Sequence, residues 1–225
     1  MTHSPKWVVG FLALLIQCAS WRAPAAPDSA NASPDKFSVA SPDGRFIFRQ
    51  TMESEDGDAA FGVFDARTKR SVLIDPGASL PPMEDSIACL WAPDSKRFAI
   101  NGRVSGRCET TELFEWTGRQ FQHVHFIEDT LTDRLAEDRN EQLKKAGIPA
   151  SLALRRVWDL CKALKWEDAD TLAVLGSSTR SYVWKKDSED AAQVVSAFIF
   201  TIKLEKSGRP KIIAERAPFQ EESRR

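Results

Sequence analysis

Histidine is scarce in this chain: His3, His123 and His125 are the three in 225 residues. A Ser-His-Asp hydrolase would have to recruit His123 or His125, and no Gly-x-Ser-x-Gly elbow is present to carry its nucleophile. Glycine is thin as well. The 11 glycines stand singly and read as turn punctuation, which excludes a phosphate-cradling glycine loop. Neither sign of charge is in excess. A balance of 31 basic against 32 acidic residues leaves no electrostatic footprint for nucleic acid. Long hydrophobic runs are missing too, since Trp7 to Ile16 is only ten residues and a spanning helix needs about 20. Tyrosine occurs once, yet there are 7 tryptophans and 13 phenylalanines, so aromatic packing between sheets carries much of the core.

One short stretch is used three times. Ser41-Pro42-Asp43-Gly44 runs into Arg45-Phe46-Ile47-Phe48, and Ala92-Pro93-Asp94-Ser95 runs into Lys96-Arg97-Phe98-Ala99-Ile100. A weaker copy, Glu167-Asp168-Ala169-Asp170, runs into Thr171-Leu172-Ala173-Val174. Proline pre-sets φ for a type I turn, Asp suits the next position, and Gly44 takes the left-handed conformation that opens a hairpin strand. Ser95 replaces that glycine, which predicts a slightly longer second loop. The strand before each turn ends at Ala40, Trp91 or Trp166, so the two tryptophans occupy equivalent places.

A second punctuation mark follows each copy. Phe64-Asp65-Ala66-Arg67-Thr68-Lys69 leads to Val72-Leu73-Ile74, Phe114-Glu115-Trp116-Thr117-Gly118-Arg119 leads to Phe121, and Leu204-Glu205-Lys206-Ser207-Gly208-Arg209 leads to Ile212-Ile213. Two hairpins per unit make four strands, the composition of a propeller blade. Phe46 to Phe98 spans 52 positions and Phe98 to Leu172 spans 74, a longer interval that accommodates one helical insertion.

These hairpins resemble the repeats of TolB-like and WD-repeat-like β-propeller proteins, whose blades carry a Trp-Ser-Pro-Asp-Gly-Lys-x-Ile-Ala-Phe hairpin. The resemblance rests on Pro42, Asp43 and Gly44, and on Trp91, Pro93 and Asp94, with Trp166 in the third copy. It implies a mainly antiparallel all-β fold of three blade-like four-stranded units with one inserted surface helix near 129–147. Three units are fewer than the roughly four to eight of a closed ring, so the propeller is incomplete or open. A homo-oligomer is one way to complete it. Such families act mostly as protein-interaction platforms or as accessory domains of peptidases.

Taken in order, residues 1–25 read as a signal peptide. Lys6 gives the charged start, Trp7 to Ile16 the apolar region, and Ala23-Pro24-Ala25 a small-x-small cleavage site. Cys18, after Leu15-Ile16-Gln17, is a candidate lipidation site, although Gln17 stands where a small residue is usual. Residues 26–36 have linker composition, residues 37–217 form the β domain, and residues 218–225 are a disordered tail. Glu53, Glu55, Asp56 and Asp58 form an acidic hairpin tip without the residue order of a calcium loop. His123 and His125 share one strand face, and with Glu128 they are the weak metal candidates.

The helix should run from Asp129 to Gly147, capped by Asp129 or Thr130 and stopped by Gly147 and Pro149. Its stripe of Leu131, Leu135, Gln142, Leu143 and Ala146 is narrow, which predicts a surface helix that buries little. Trp158, Leu160, Lys162, Leu164 and Trp166 alternate, so the segment from about Val157 reads as strand. Cys89 and Cys108 fall on strands a and c of one unit, about 10 Å apart, too far for a disulfide.

The leading function is an exported, non-catalytic binding domain for a protein or polysaccharide partner, periplasmic or secreted, with no cofactor, no nucleic acid and no transmembrane helix in the mature chain. One alternative is a hydrolase or metal-dependent enzyme using His123 or His125. Another is an envelope-tethered structural lipoprotein held through Cys18.

Overall fold

The turn residues fold as their chemistry dictates. Gly44 sits at φ 69° and donates its N–H to the Ser41 carbonyl at 2.9 Å. The Asp43 carboxylate accepts from the Ser41 hydroxyl at 2.7 Å and from the Arg45 N–H at 2.9 Å, an Asx turn that holds the bend. The second turn has the same length, against expectation. Ser95 itself adopts φ 60° and donates its N–H to the Ala92 carbonyl at 2.9 Å, so no longer loop is needed. Its hydroxyl accepts from the Asp43 N–H at 3.1 Å and ties the two turns together. That bond offsets the cost of a left-handed non-glycine residue.

The computed structural model describes residues 37–53, 59–72, 87–105, 107–149, 154–183, 191–205 and 210–218. All lie in one unit spanning Asp35–Arg225. Residues 1–36, Cys18 among them, the tip of the acidic loop and the residues beyond Pro218 lie outside the described residues.

Three antiparallel units follow one another. The first comprises β1 (Ser38–Ala40), β2 (Phe46–Glu53) and β3 (Ala59–Asp65). Its fourth strand is described only as a bridge from Phe64 to Ser71, with Leu73 and Ile74 outside the described residues. The second comprises β4 (Ala88–Trp91), β5 (Arg97–Ser105), β6 (Cys108–Trp116) and β7 (Phe121–Val124). After helix α1 (Glu128–Lys145) comes the third: β8 (Leu154–Trp166), β9 (Thr171–Val183), β10 (Ala191–Leu204) and β11 (Pro210–Arg216). The described chain is therefore all-β and mainly antiparallel with one helix. In the ladders Ala40 faces Ile47, Trp91 faces Phe98 and Trp166 faces Leu172, so Ile47 rather than Phe46 is the counterpart of Phe98.

The tryptophan equivalence acquires a mechanism. The Trp91 indole N–H donates to the Val39 carbonyl at 3.3 Å, and the Trp166 indole N–H donates to the Leu90 carbonyl at 2.9 Å. In each case the acceptor is the residue just before the equivalent position in the preceding unit. Each unit thus clamps the one before it, and the first unit, with Ala40, has no clamp to make.

Apolar residues between the units form two cores. Phe46, Phe48 and Val63 of the first unit pack on Phe98, Ile100, Phe114 and Phe121 of the second. Phe98 stacks on Phe114 with ring centroids 4.8 Å apart. Ala99, Leu113 and Val124 of the second unit pack against Cys161, Ala163, Leu172, Val174 and Phe200 of the third. The second and third units are also joined in one sheet, because β6 and β8 pair in parallel for two residues, Cys108 with Asp159 and Glu109 with Leu160.

The helix departs from its sequence reading in two ways. Its N-cap is Ile127, with no side-chain cap, although Glu128 and Asp129 still complement the dipole. It also buries more than a surface helix would: Leu131, Leu135 and Leu143 are all buried, and Leu131 enters the core shared with Phe200. Gly176, midway along β9, permits this approach. A Cβ there would meet the Phe200 ring at 2.8 Å and Leu135 at 3.4 Å. The C-terminus follows expectation. Gly147 takes φ 66°, and the Ile148 N–H donates to the Leu143 carbonyl at 3.0 Å, with Ile148 packed on Leu143.

Candidate functional site

Where β6 and β8 part, the third unit must satisfy a strand edge that has no neighbouring strand. Side chains of the second unit supply the partners. The Asn101 amide donates from Nδ2 to the Ala163 carbonyl at 2.7 Å, and its Oδ1 accepts from the Ala163 N–H at 2.8 Å. Asn101 thus imitates one residue of a missing strand. The Thr111 oxygen shares the Ala163 N–H at 2.9 Å. Its single proton serves either Asn101 Oδ1 at 2.8 Å or the Cys161 carbonyl at 3.0 Å.

The short parallel contact leaves an open crevice of about 240 Å³ beside it. Its floor is Leu160 and its most prominent wall is Trp158, which is 50% exposed. A β-bulge between Ala163 and Lys165 puts Trp158 on the face away from Trp166. The bulge shifts the alternation by one, so Trp166 shares a face with Leu172 in the core, while Trp158 faces Thr179 on the opposite side. The expected single stripe from Trp158 to Trp166 is therefore split between two faces.

Polar groups surround the indole. Asp159 is gripped by Arg180 through two bonds, 2.7 Å and 3.1 Å long. Arg103 lies 3.4 Å from Glu109. Arg107 is exposed with no ion-pair partner among the described residues, while its backbone is pinned by Ser105 and Asp159. Ser177 and Thr179 complete the wall from β9. A second cavity of about 270 Å³ adjoins it under the start of α1, reaching Glu128 and Cys161. Burial pushes the Glu128 carboxyl above its ordinary value of 4.5. The Thr110 hydroxyl opposes that shift, and the charges of Glu112, Asp129 and Asp159 add to it.

The metal candidates meet at a different place. His123, His125 and Glu128 all reach the rim of one pocket of about 210 Å³. His123 Nε2 pairs with Glu112 Oε2 at 2.5 Å, His125 is exposed, and Glu128 is 3.3 Å from the Thr110 hydroxyl. Among the described residues no group of three His, Cys, Asp or Glu is close enough to share an ion. The cysteines Cys89, Cys108 and Cys161 are free; β5 separates Cys89 from Cys108, whereas Cys108 and Cys161 lie on neighbouring strands but out of register, since Cys108 faces Asp159. Cys161 is buried, and desolvation pushes its thiol up; Cys89 is only half-buried as a residue, but its thiol lies against the aromatic core and is pushed up likewise. Pro42, Asp43, Gly44, Pro93 and Asp94 serve the turns.

No protein-family profile matches the chain, and no curated protein matches it. Among solved structures it is similar to a protein assigned as TolB from Agrobacterium tumefaciens, at 9% identity and a TM-score of 0.31, over 81% of this chain and 51% of that one. It is similar to TolB from Acinetobacter baumannii at 11% identity and a TM-score of 0.30, over 81% and 41%. A structure from work on two prolyl endopeptidases gives 14% identity and a TM-score of 0.28, over 80% and 26%. The chain spans about half or less of the length of each. The strand pairing carries the fold assignment by itself.

Proposed function

We propose that the chain is an exported, non-catalytic binding domain that engages a protein or polysaccharide partner through the crevice between its second and third units. The observation that carries this reading is Trp158. A large aromatic ring left half in water, beside charged and hydroxyl groups that converge on one crevice, has the composition of a binding hot spot. Two of the groups with chemical potential are occupied otherwise, while His125 is exposed. His123 is closed on Glu112 at a strand surface, and the Cys161 thiol is buried and held protonated. Export rests on the leader-like first 25 residues.

The test compares the purified domain with its Trp158→Ala variant on arrayed polysaccharides and on envelope or medium extracts. Retention of a partner by the first and loss by the second supports the proposal. Turnover of ester, peptide or glycoside substrates that disappears in a His123→Ala variant overturns it in favour of an enzyme.

A further inference from the structure

We propose that the crevice takes one acidic sugar unit of a polysaccharide, with Trp158 as the stacking platform and Arg107 as the carboxylate partner. This rests on reading the chain as a binding domain and names the ligand of that site.

Charge selects the acid. Arg180 neutralises Asp159 through a two-pronged contact, and Arg103 is set against Glu109. Arg107 is the cation left over, exposed and without an ion-pair partner among the described residues. Its backbone is fixed at both ends, the N–H by the Ser105 hydroxyl and the carbonyl by the Asp159 N–H. Its side chain therefore starts from a defined point at the crevice mouth. A guanidinium favours a planar carboxylate with two parallel bonds.

Shape and hydrogen bonding select a sugar over a peptide. An extended peptide docks by pairing with a free strand edge. Here β6 already occupies the β8 edge at Asp159 and Leu160, so a peptide strand has no edge to add to at those two residues. The walls instead present hydroxyls, Ser177 and Thr179, beside carboxylates, Asp159 and Glu109. Sugar hydroxyls both donate and accept, and they match that mixture. The C–H face of a pyranose is weakly positive and lies well on the negative face of an indole. A volume of about 240 Å³ in an open crevice suits one residue of a chain that continues out at both ends.

The experiment is a calorimetric titration of the full exported protein with tri-galacturonate at low salt. The neutral galactose trimer and a short poly-glutamate serve as comparisons. Binding to tri-galacturonate should weaken about tenfold or more in Arg107→Gln and in Trp158→Ala, and should weaken as salt screens the exposed pair. The neutral trimer should bind the wild type about tenfold or more weakly, as tri-galacturonate binds Arg107→Gln. Unchanged melting curves for both variants show that the loss is local. No binding of tri-galacturonate at about 10 mM, or equal binding by both variants, overturns the proposal. Poly-glutamate binding as tightly as the acidic sugar overturns it in favour of an acidic peptide. Shortened sugar products would support the ligand class while overturning the non-catalytic reading.

Discussion

Replacing Asn101 by alanine should cost about 2–4 kcal/mol, because one side chain stands in for a strand. Asn101 is buried at 3% exposure and makes two bonds to the Ala163 peptide group, at 2.7 Å and 2.8 Å. In the variant the Ala163 N–H keeps the Thr111 oxygen at 2.9 Å, but the Ala163 carbonyl loses its partner from the second unit. An orphaned buried acceptor costs about 1–3 kcal/mol, and the lost bonds and amide packing add roughly 1 more. For a domain of this size that lowers the melting temperature by roughly 5–15 °C. Urea unfolding followed by tryptophan fluorescence measures the difference.

Asn101→Asp is the sharper control. Protonated, it can still donate; ionised, it keeps the acceptor and loses the donor, and burial disfavours that charged form. A raised acid favours the folded state only while protonated, so this variant should lose further stability as pH rises from about 4 to 7. Asn101→Ala and Thr111→Val should combine non-additively, since both address Ala163. An Asn101→Ala protein within about 0.5 kcal/mol of wild type would refute the reasoning: the β8 edge would then be satisfied without the second unit.

Trp166→Phe, which keeps an aromatic ring but removes the N–H, should cost about 1 kcal/mol by denaturant unfolding, and Trp166→Ala about 3. Gly176→Ala should cost about 1–3 kcal/mol by overpacking the Phe200 ring edge, and a melting curve at or above wild type would contradict that. Glu128→Gln should stabilise the protein slightly at pH 7, the relieved burial of the charge being partly offset by the lost interaction with the α1 dipole, with the gain fading as pH falls through the ordinary value of 4.5. The burial-raised carboxyl destabilises the fold only once ionised, so thermal shifts at pH 7 and pH 3.5 check the sign. Asp168 should titrate at about 2, held down first by the Asp170 N–H and then by the Thr171 hydroxyl, as carboxyl chemical shifts would show.

How much was legible depended on whether the signal was local. Pro42-Asp43-Gly44 and Pro93-Asp94-Ser95 specify turns within four residues, so the hairpins and the equivalence of Trp91 and Trp166 could be read directly. Strand β8 was legible from its alternation, but its bulge was not, and the bulge puts Trp158 and Trp166 on opposite faces. The length of the second loop was misjudged because Ser95 gains a bond from Asp43, a residue of another unit. The burial of α1 depends on Gly176, which reads as an ordinary strand glycine until Phe200 and Leu135 are placed around it. The crevice was invisible because its walls come from three distant segments around Arg107, Trp158 and Ser177. A lone Asn101 in a strand carries no period at all. The signal that could have flagged the site was Trp158, a tryptophan of the third unit that no turn required.

The central structural claim is that three units are laid in phase, each clamped to the one before through an indole. Hydrogen exchange of the tryptophan side chains tests it most directly, read from indole N–H cross-peaks assigned by Trp91→Phe and Trp166→Phe. The account predicts that the Trp91 and Trp166 indole protons are protected, that the Trp158 proton exchanges freely, and that Asn101→Ala exposes Trp166 before Trp91. Free exchange at both Trp91 and Trp166 would contradict it.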